Sequence, residues 1–169
     1  LYIFNSAGNY LDKLSAQVNQ TVELNYPNSG TLSIYAVANA KTANENVTDF
    51  AAGDNVSSGC VSLLQESSLL ATNVHRTPSD LFMGRTDVQN TGKKGSGEPV
   101  ELLVFRVVGR TAVTVRGLKQ QYQTNDEDFN VLVHTNYNSI SFDRVPSGPP
   151  VCYYVAGSFL DQRNYVVPV

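Results

Sequence analysis

Along this chain of 169 residues, apolar and polar positions alternate with a period of two more often than with a helical period. The clearest case is Gly30–Ala40, where Leu32, Ile34, Ala36 and Ala38 alternate with Ser33, Tyr35 and Val37 and predict a strand. Leu1–Phe4 and Tyr10–Leu14 flank Ser6–Ala7–Gly8–Asn9, a turn in which Gly8 can take positive φ, so this opening predicts a β-hairpin. Val18, Val22 and Leu24 alternate with Asn19, Thr21 and Glu23 and predict a half-exposed strand. The same alternation recurs at Phe129–His134 and at Ser139–Asp143. Closing strands are expected around Cys152–Ala156 and Tyr165–Val167.

The longest apolar stretch, Val100–Leu118, fits no helical period and is rich in Val, Leu, Phe and Thr. Leu102, Leu103, Val104 and Phe105 run without alternation, as in a strand covered on both faces. A bulge near Gly109 would then reverse the pleat and bring Val113 and Val115 onto one face. This stretch therefore predicts the structural core, with Leu102, Val104, Phe105, Val113 and Val115 inside it. Aspartate at Val104 or Phe105 is expected to prevent folding, and Arg106 and Arg110 must reach solvent or find partners.

Between Asn39 and Asp80 the alternation fades. Thr48–Asp49 and Ser57–Ser58 are potential caps, so short helices are expected in a crossover around residues 45–70. Leu81–Gly84 predicts a short return to the core. Gly92–Pro99 and the polar run 120–128 predict loops. Eight or nine short strands separated by turn signals argue for an all-β fold, a two-sheet β-sandwich spanning residues 1–169 as a single domain.

Composition narrows the function. The net charge is −3 and the twelve basic residues are scattered, so there is no footprint for nucleic acid. His75 and His134 are the only histidines, and neither sits in a catalytic motif. Gly92–Pro99 lacks the spacing of a phosphate loop. Asp126–Glu127–Asp128 reads as a solvated acidic turn rather than a calcium loop. Cys60 and Cys152 allow one disulfide, which spacing alone neither requires nor excludes. No metal site, cofactor or enzymatic constellation is implied. A structural or binding module is the expectation, and the nine tyrosines leave a glycan platform as the alternative. Because Leu1–Phe4 is already strand-like, an upstream segment with any targeting signal is expected to precede it.

Four motifs in order carry a resemblance: LYIFNSAGNYL (Leu1–Leu11), GTLSIYAVANA (Gly30–Ala40), LFMG (Leu81–Gly84) and RVVGRTAVTVRGL (Arg106–Leu118). Together they resemble the fimbrillin superfamily of Bacteroidetes pili, above all its FimB-like anchoring and accessory subunits. Gly109 stands where that family usually has Ala, and the sequence from Leu1 onward does not include the family's lipoprotein Cys. The resemblance implies a transthyretin-like sandwich and export as a lipoprotein, held at the outer membrane by an upstream lipid anchor. It also implies assembly with other pilus subunits by β-strand addition, and a C-terminal domain beyond this one. Strand addition would require one sheet edge open along a full strand, with an apolar trough beside it. A secreted adhesin that binds glycans or host proteins is the competing reading.

Overall fold

The computed structural model describes residues 1–28, 30–66, 73–91, 98–109, 112–116, 131–155, 158–159 and 164–168. Among these residues the regular structure is strand throughout, apart from a 3-10 turn at Val56–Ser58. The largest sheet has five strands, in the spatial order β2 (Tyr10–Lys13), β1 (Tyr2–Phe4), β3 (Gly30–Ala38), β7 (Phe82–Asn90) and β8 (Phe105–Arg106). All its neighbours are antiparallel. The predicted hairpin is β1–β2, with Gly8 at φ 78° in its turn. A second sheet runs β12 (Pro146–Ser147), β11 (Ser139–Ser141), β5 (Cys60–Leu63), β4 (Glu45–Val47).

A third sheet places β13 (Val151–Val155) between β10 (Val131–Thr135) and β6 (Val74–His75). It continues from the second through a bridge between Gln65 and His75 and a 2.8 Å bond from the Arg76 amide to the Leu64 carbonyl. A fourth sheet sets β15 (Asn164–Pro168) between β14 (Ser158–Phe159) and β9 (Ala112–Arg116).

The core lies between the first two sheets. Tyr2, Phe4, Tyr35 and Met83 from the first meet Val61 of β5, together with Phe50 and Phe142. Phe4 is fully buried, edge-on to Tyr35 at 5.5 Å and to Phe50 at 5.1 Å between ring centroids. Two antiparallel layers closed over one aromatic core are the arrangement of a β-sandwich. The first sheet is also covered outside: Ile3, Leu32 and Ile34 pack beneath Leu14, Leu24, Tyr26 and Leu102. Strand β3 is thus buried on both faces, Ile34 outward and Tyr35 inward.

Three expectations are corrected. First, Val18–Leu24 forms no strand. Leu14, Leu24 and Tyr26 are anchored on the outer face, which pulls the segment across the sheet as a strap and leaves Val18 in solvent, 87% exposed. Second, among the described residues of the crossover the only helical piece is a single 3-10 turn, Val56–Ser58. Asn55 caps one 3-10 turn by accepting from the Ser57 amide, and the turn stops at Gly59. A Cβ at Gly59 would crowd the rings of Phe50 and Phe142, and the chain continues as β5, where Val61 pairs with Val47 and Ile140.

Third, the core is not centred on the described part of Val100–Leu118, although Val107 and Val108 pack against the aromatic cluster. Val104, Phe105 and Val113 are exposed (38%, 54% and 38%), while Leu102 and Val115 are half-buried. The stretch does not form one strand pair bulged at Gly109. Phe105–Arg106 is the edge of the first sheet, and Ala112–Arg116 belongs to the fourth. Apolar side chains at an edge, or on a segment crossing a face, have neighbours on one side only. Arg106 reaches solvent and pairs with Asp80 at 2.8 Å. Arg110, like the acidic run 126–128 and most of the 92–99 loop, lies outside the described residues.

Candidate functional site

The described residues bring together no catalytic set. His75 sits beside the Asn73 carbonyl at 3.3 Å. His134 faces Cys152 across the β10–β13 ladder, but the Cys152 thiol donates to the Asn73 carbonyl at 3.5 Å. Cys60, on β5, and Cys152, on β13, are free thiols. No group of three metal-ligating side chains occurs among the described residues. The buried carboxylate of Glu45 is structural: it accepts from the Ser79 amide, the Ser79 hydroxyl at 2.9 Å and the Lys41 amide at 2.9 Å. It ties the start of β4 to the segment before β7.

The sheet edges are the remaining candidates. Strand β2 is blunted at its start, where the Tyr10 amide donates to the Asp54 carbonyl at 2.8 Å and Asn9 bridges Asn55. Strand β10 is an edge of five residues, with Leu132 and His134 in solvent. Strand β7 differs from both. All nine of its residues pair with β3, in unbroken register from Gly30–Asn90 to Ala38–Phe82. On its other side only Phe82 and Met83 are paired, with Arg106 and Phe105. From Gly84 to Gln89 that side has no ladder partner among the described residues.

The two faces of this free length differ. Arg85, Asp87 and Gln89 share the inner side in a polar cluster at the rim of the aromatic core, where the Arg85 guanidinium lies over the Tyr35 ring at 5.1 Å. Arg85 lies 3.3 Å from Asp143 and 3.4 Å from Asp87, and Ser33 donates to Asp87 at 2.7 Å. Tyr35 donates to Asp143 at 3.2 Å; burial of its hydroxyl, reinforced by that carboxylate, pushes its pKa up to about 12. Gly84, Thr86 and Val88 share the outer side. There the chain at 102–104 crosses close above Gly84, so that a Cβ at 84 would overlap the Leu103 carbonyl. Leu102 joins Val88 in the outer cluster, while Leu103 stays 55% exposed.

Sequence reasoning missed most of this edge. Leu81–Gly84 reads as a short return, because Arg-Thr-Asp-Val-Gln-Asn after it is polar. The signal was present: Thr86 and Val88, both of types that favour strands, alternate with Arg85, Asp87 and Gln89. The expected trough is only partly found. From Gly84 to Gln89 one side of β7 has no ladder partner among the described residues, but the apolar residues beside it belong to the crossing segment.

Comparison with known proteins supplies the context. The family model of the fimbrillin-A associated anchor proteins Mfa1 and Mfa2 matches residues 1–165. No curated protein sequence matches significantly. Among solved structures, the fimbrial anchor protein Mfa2 from Porphyromonas gingivalis superposes with a TM-score of 0.62 at 14% identity, over 98% of this chain and 61% of that one. A proposed adhesin from Bacteroides ovatus gives 0.70 at 16% identity, over 99% of this chain and 59% of that one. A proposed polysaccharide-binding protein from Bacteroides thetaiotaomicron gives 0.66 at 16% identity, over 99% and 61%. The chain thus spans about 60% of the length of the structures it matches.

Proposed function

Since the chain belongs to the family of fimbrillin-A associated anchor proteins, we propose that it is one domain of a longer anchoring or accessory subunit of a cell-surface pilus. The observation that carries this reading is the family match over residues 1–165, supported by the same fold in a fimbrial anchor protein. The subunit is a structural protein, not an enzyme. Its sandwich is transthyretin-like, it is exported as a lipoprotein and held at the outer membrane by a lipid upstream of Leu1, and it joins other pilus subunits by β-strand addition. The edge of β7 supports the last point, because Gly84–Gln89 has no ladder partner on that side among the described residues and an added strand would pair with its backbone.

The glycan-binding alternative draws on two relatives of similar fold. The aromatic inventory favours it less. Tyr2 and Tyr35 are buried, and Tyr10 packs against Phe50 at 5.4 Å, so three of the nine tyrosines belong to the core and not to a platform. The test is fractionation of the full-length, tagged subunit in its native cell. It should sediment with outer membranes and copurify with pilus polymer. Recovery free of both would sink the anchor reading.

A further inference from the structure

We propose that a cleft at one end of the first sheet binds a single ring of a neutral sugar. The inference goes beyond the anchoring role and is independent of it, since an anchored subunit works with or without a sugar on its surface. The cleft has a volume of about 210 Å3 and opens between the β1–β2 turn and the end of the strap where it enters β3. Residues far apart in sequence meet there because Phe4 pairs with Ser33, which sets Asn5 beside Leu32.

Both walls are held in place. On the hairpin side the Asn5 Oδ1 accepts from the amides of Ala7 and Asn9, each at 3.0 Å, and the Asn5 carbonyl accepts from the Gly8 amide at 2.9 Å. On the strap side the Asn90 side-chain amide donates to the Tyr26 carbonyl at 3.0 Å and to the Asn28 carbonyl at 2.5 Å. The Tyr26 hydroxyl donates to Asp12 at 3.3 Å while its ring rests on the outer cluster. A cleft whose walls are fixed beforehand loses little order on binding.

The lining states the ligand's chemistry. Tyr26, Pro27 and Leu32, with Leu11 at 42% exposure, form an apolar bed. The polar groups around it are neutral and have hydrogen-bonding capacity to spare. With its Oδ1 committed to the turn, Asn5 offers its NH2 group. Thr31 accepts from Gln89 Nε2 at 3.0 Å and keeps its own proton to donate. The side chains of Ser6 and Asn28 bond to no other described residue. No charged side chain lines the cleft, so nothing there would hold a phosphate, a nucleotide or a cation. A pyranose fits this arrangement: its C–H face covers the apolar bed, with Tyr26 as the one aromatic surface, and its hydroxyls both donate and accept at the rim. The volume is below the roughly 300–1,000 Å3 of sites for larger ligands, which limits the cleft to one ring.

The test is a titration of the isotope-labelled full chain, followed by its amide NMR shifts, with the methyl glycosides of glucose, galactose, mannose and N-acetylglucosamine. At least one should give saturable shifts confined to residues 5–11, 26–28 and 30–32, with a Kd in the millimolar range, as suits so small a ligand. Thr31→Val and Asn28→Ala should each weaken that glycoside at least about fivefold and leave the remaining amide shifts unchanged. Sodium phosphate should shift none of these amides. The proposal is overturned by no saturation with any of the four glycosides, by saturation centred elsewhere, or by binding that both variants leave intact. Saturation of the cleft by the neutral tripeptide Ser-Asn-Ser, with no glycoside binding, would overturn the sugar and assign the cleft to a peptide. The anchor reading stands or falls separately, by fractionation.

Discussion

Two stretches of this chain are about equally apolar and have opposite fates. Leu1–Phe4 places Tyr2, Ile3 and Phe4 at 5%, 0% and 0% exposure, whereas Val100–Phe105 leaves Leu103 and Phe105 more than half exposed. Both can form strands. They differ in position: β1 has β2 and β3 on its two sides, the aromatic core on one face and the strap at 14–26 on the other. The segment at 100–106 touches the same sheet from above and at its rim, where only Leu102 finds cover. Apolar content states that a segment can be buried. Which segment is buried depends on how many of its four sides the topology fills.

The largest expected effect tests the buried member of the pair. Phe4 is held by Tyr10, Tyr35, Phe50 and Phe142, with ring centroids 5.1–6.5 Å apart. Phe4→Ala opens a cavity among rings that cannot all move in, and should cost about 3–5 kcal/mol in urea unfolding. A loss below about 1 kcal/mol would mean that the sandwich core is not centred on β1.

Next comes the contact that keeps the second stretch where it is. Gly84→Ala puts a methyl into the Leu103 carbonyl, which lies against backbone rather than a pliable side chain. The crossing at 102–104 must shift, at about 1–3 kcal/mol. Fluorescence or exchange probes on residues 100–106 should report the displacement while the Phe4 cluster stays intact. Unchanged stability would show that the crossing is not seated on Gly84.

How much of this was legible follows from the same contrast. The β1–β2 hairpin and strand β3 were readable because their signals are local: a glycine turn between two apolar runs, and an alternation that nothing interrupts. The core was misplaced because burial is decided between segments, and the most apolar run met an edge. The strap at 18–24 was misread for a related reason. Its apolar residues are spaced for a strand, but Leu14, Leu24 and Tyr26 serve as anchors on a face. Strand β7 was half seen: Phe82 and Met83 declared themselves, while the polar residues that line the free edge look like the start of a loop. A strand at the rim of a sheet, polar along half its residues, lacks the buried-face pattern by which strands are recognised.

A smaller effect is expected at the rim. Arg106 pairs with Asp80 at 2.8 Å and stacks over Phe82 at 5.5 Å, with both charged side chains nearly half exposed. Exposed pairs contribute little, so Arg106→Ala should cost less than about 1 kcal/mol, part of it lost cover over Phe82. Stability should fall modestly with added salt in the native chain and not in the variant. A cost near that of Phe4→Ala would move the rim into the core.

The smallest effect is the one that the sequence alone would rank highest. Aspartate in a covered strand would bury an unpaired carboxylate and prevent folding, but at Val104 and Phe105 the carboxylate would stand in water, since these residues are 38% and 54% exposed. Phe105→Asp removes a ring that lies 5.7 Å from the Arg144 guanidinium, a contact of about 0.5–1 kcal/mol at an exposed site. It also places a carboxylate beside the same cation, which returns a similar amount. What is left is the lower strand preference of Asp at an edge, at most about 1 kcal/mol. For a chain of this size that is a shift of about 2–4 °C in the thermal midpoint. Both variants should therefore be soluble and unfold cooperatively within a few degrees of the native chain, with Phe4→Asp unfolded beside them as the control. Insoluble Val104→Asp and Phe105→Asp would show that residues 100–106 are buried in the folded protein. In that case the two apolar stretches would be equivalent parts of one core.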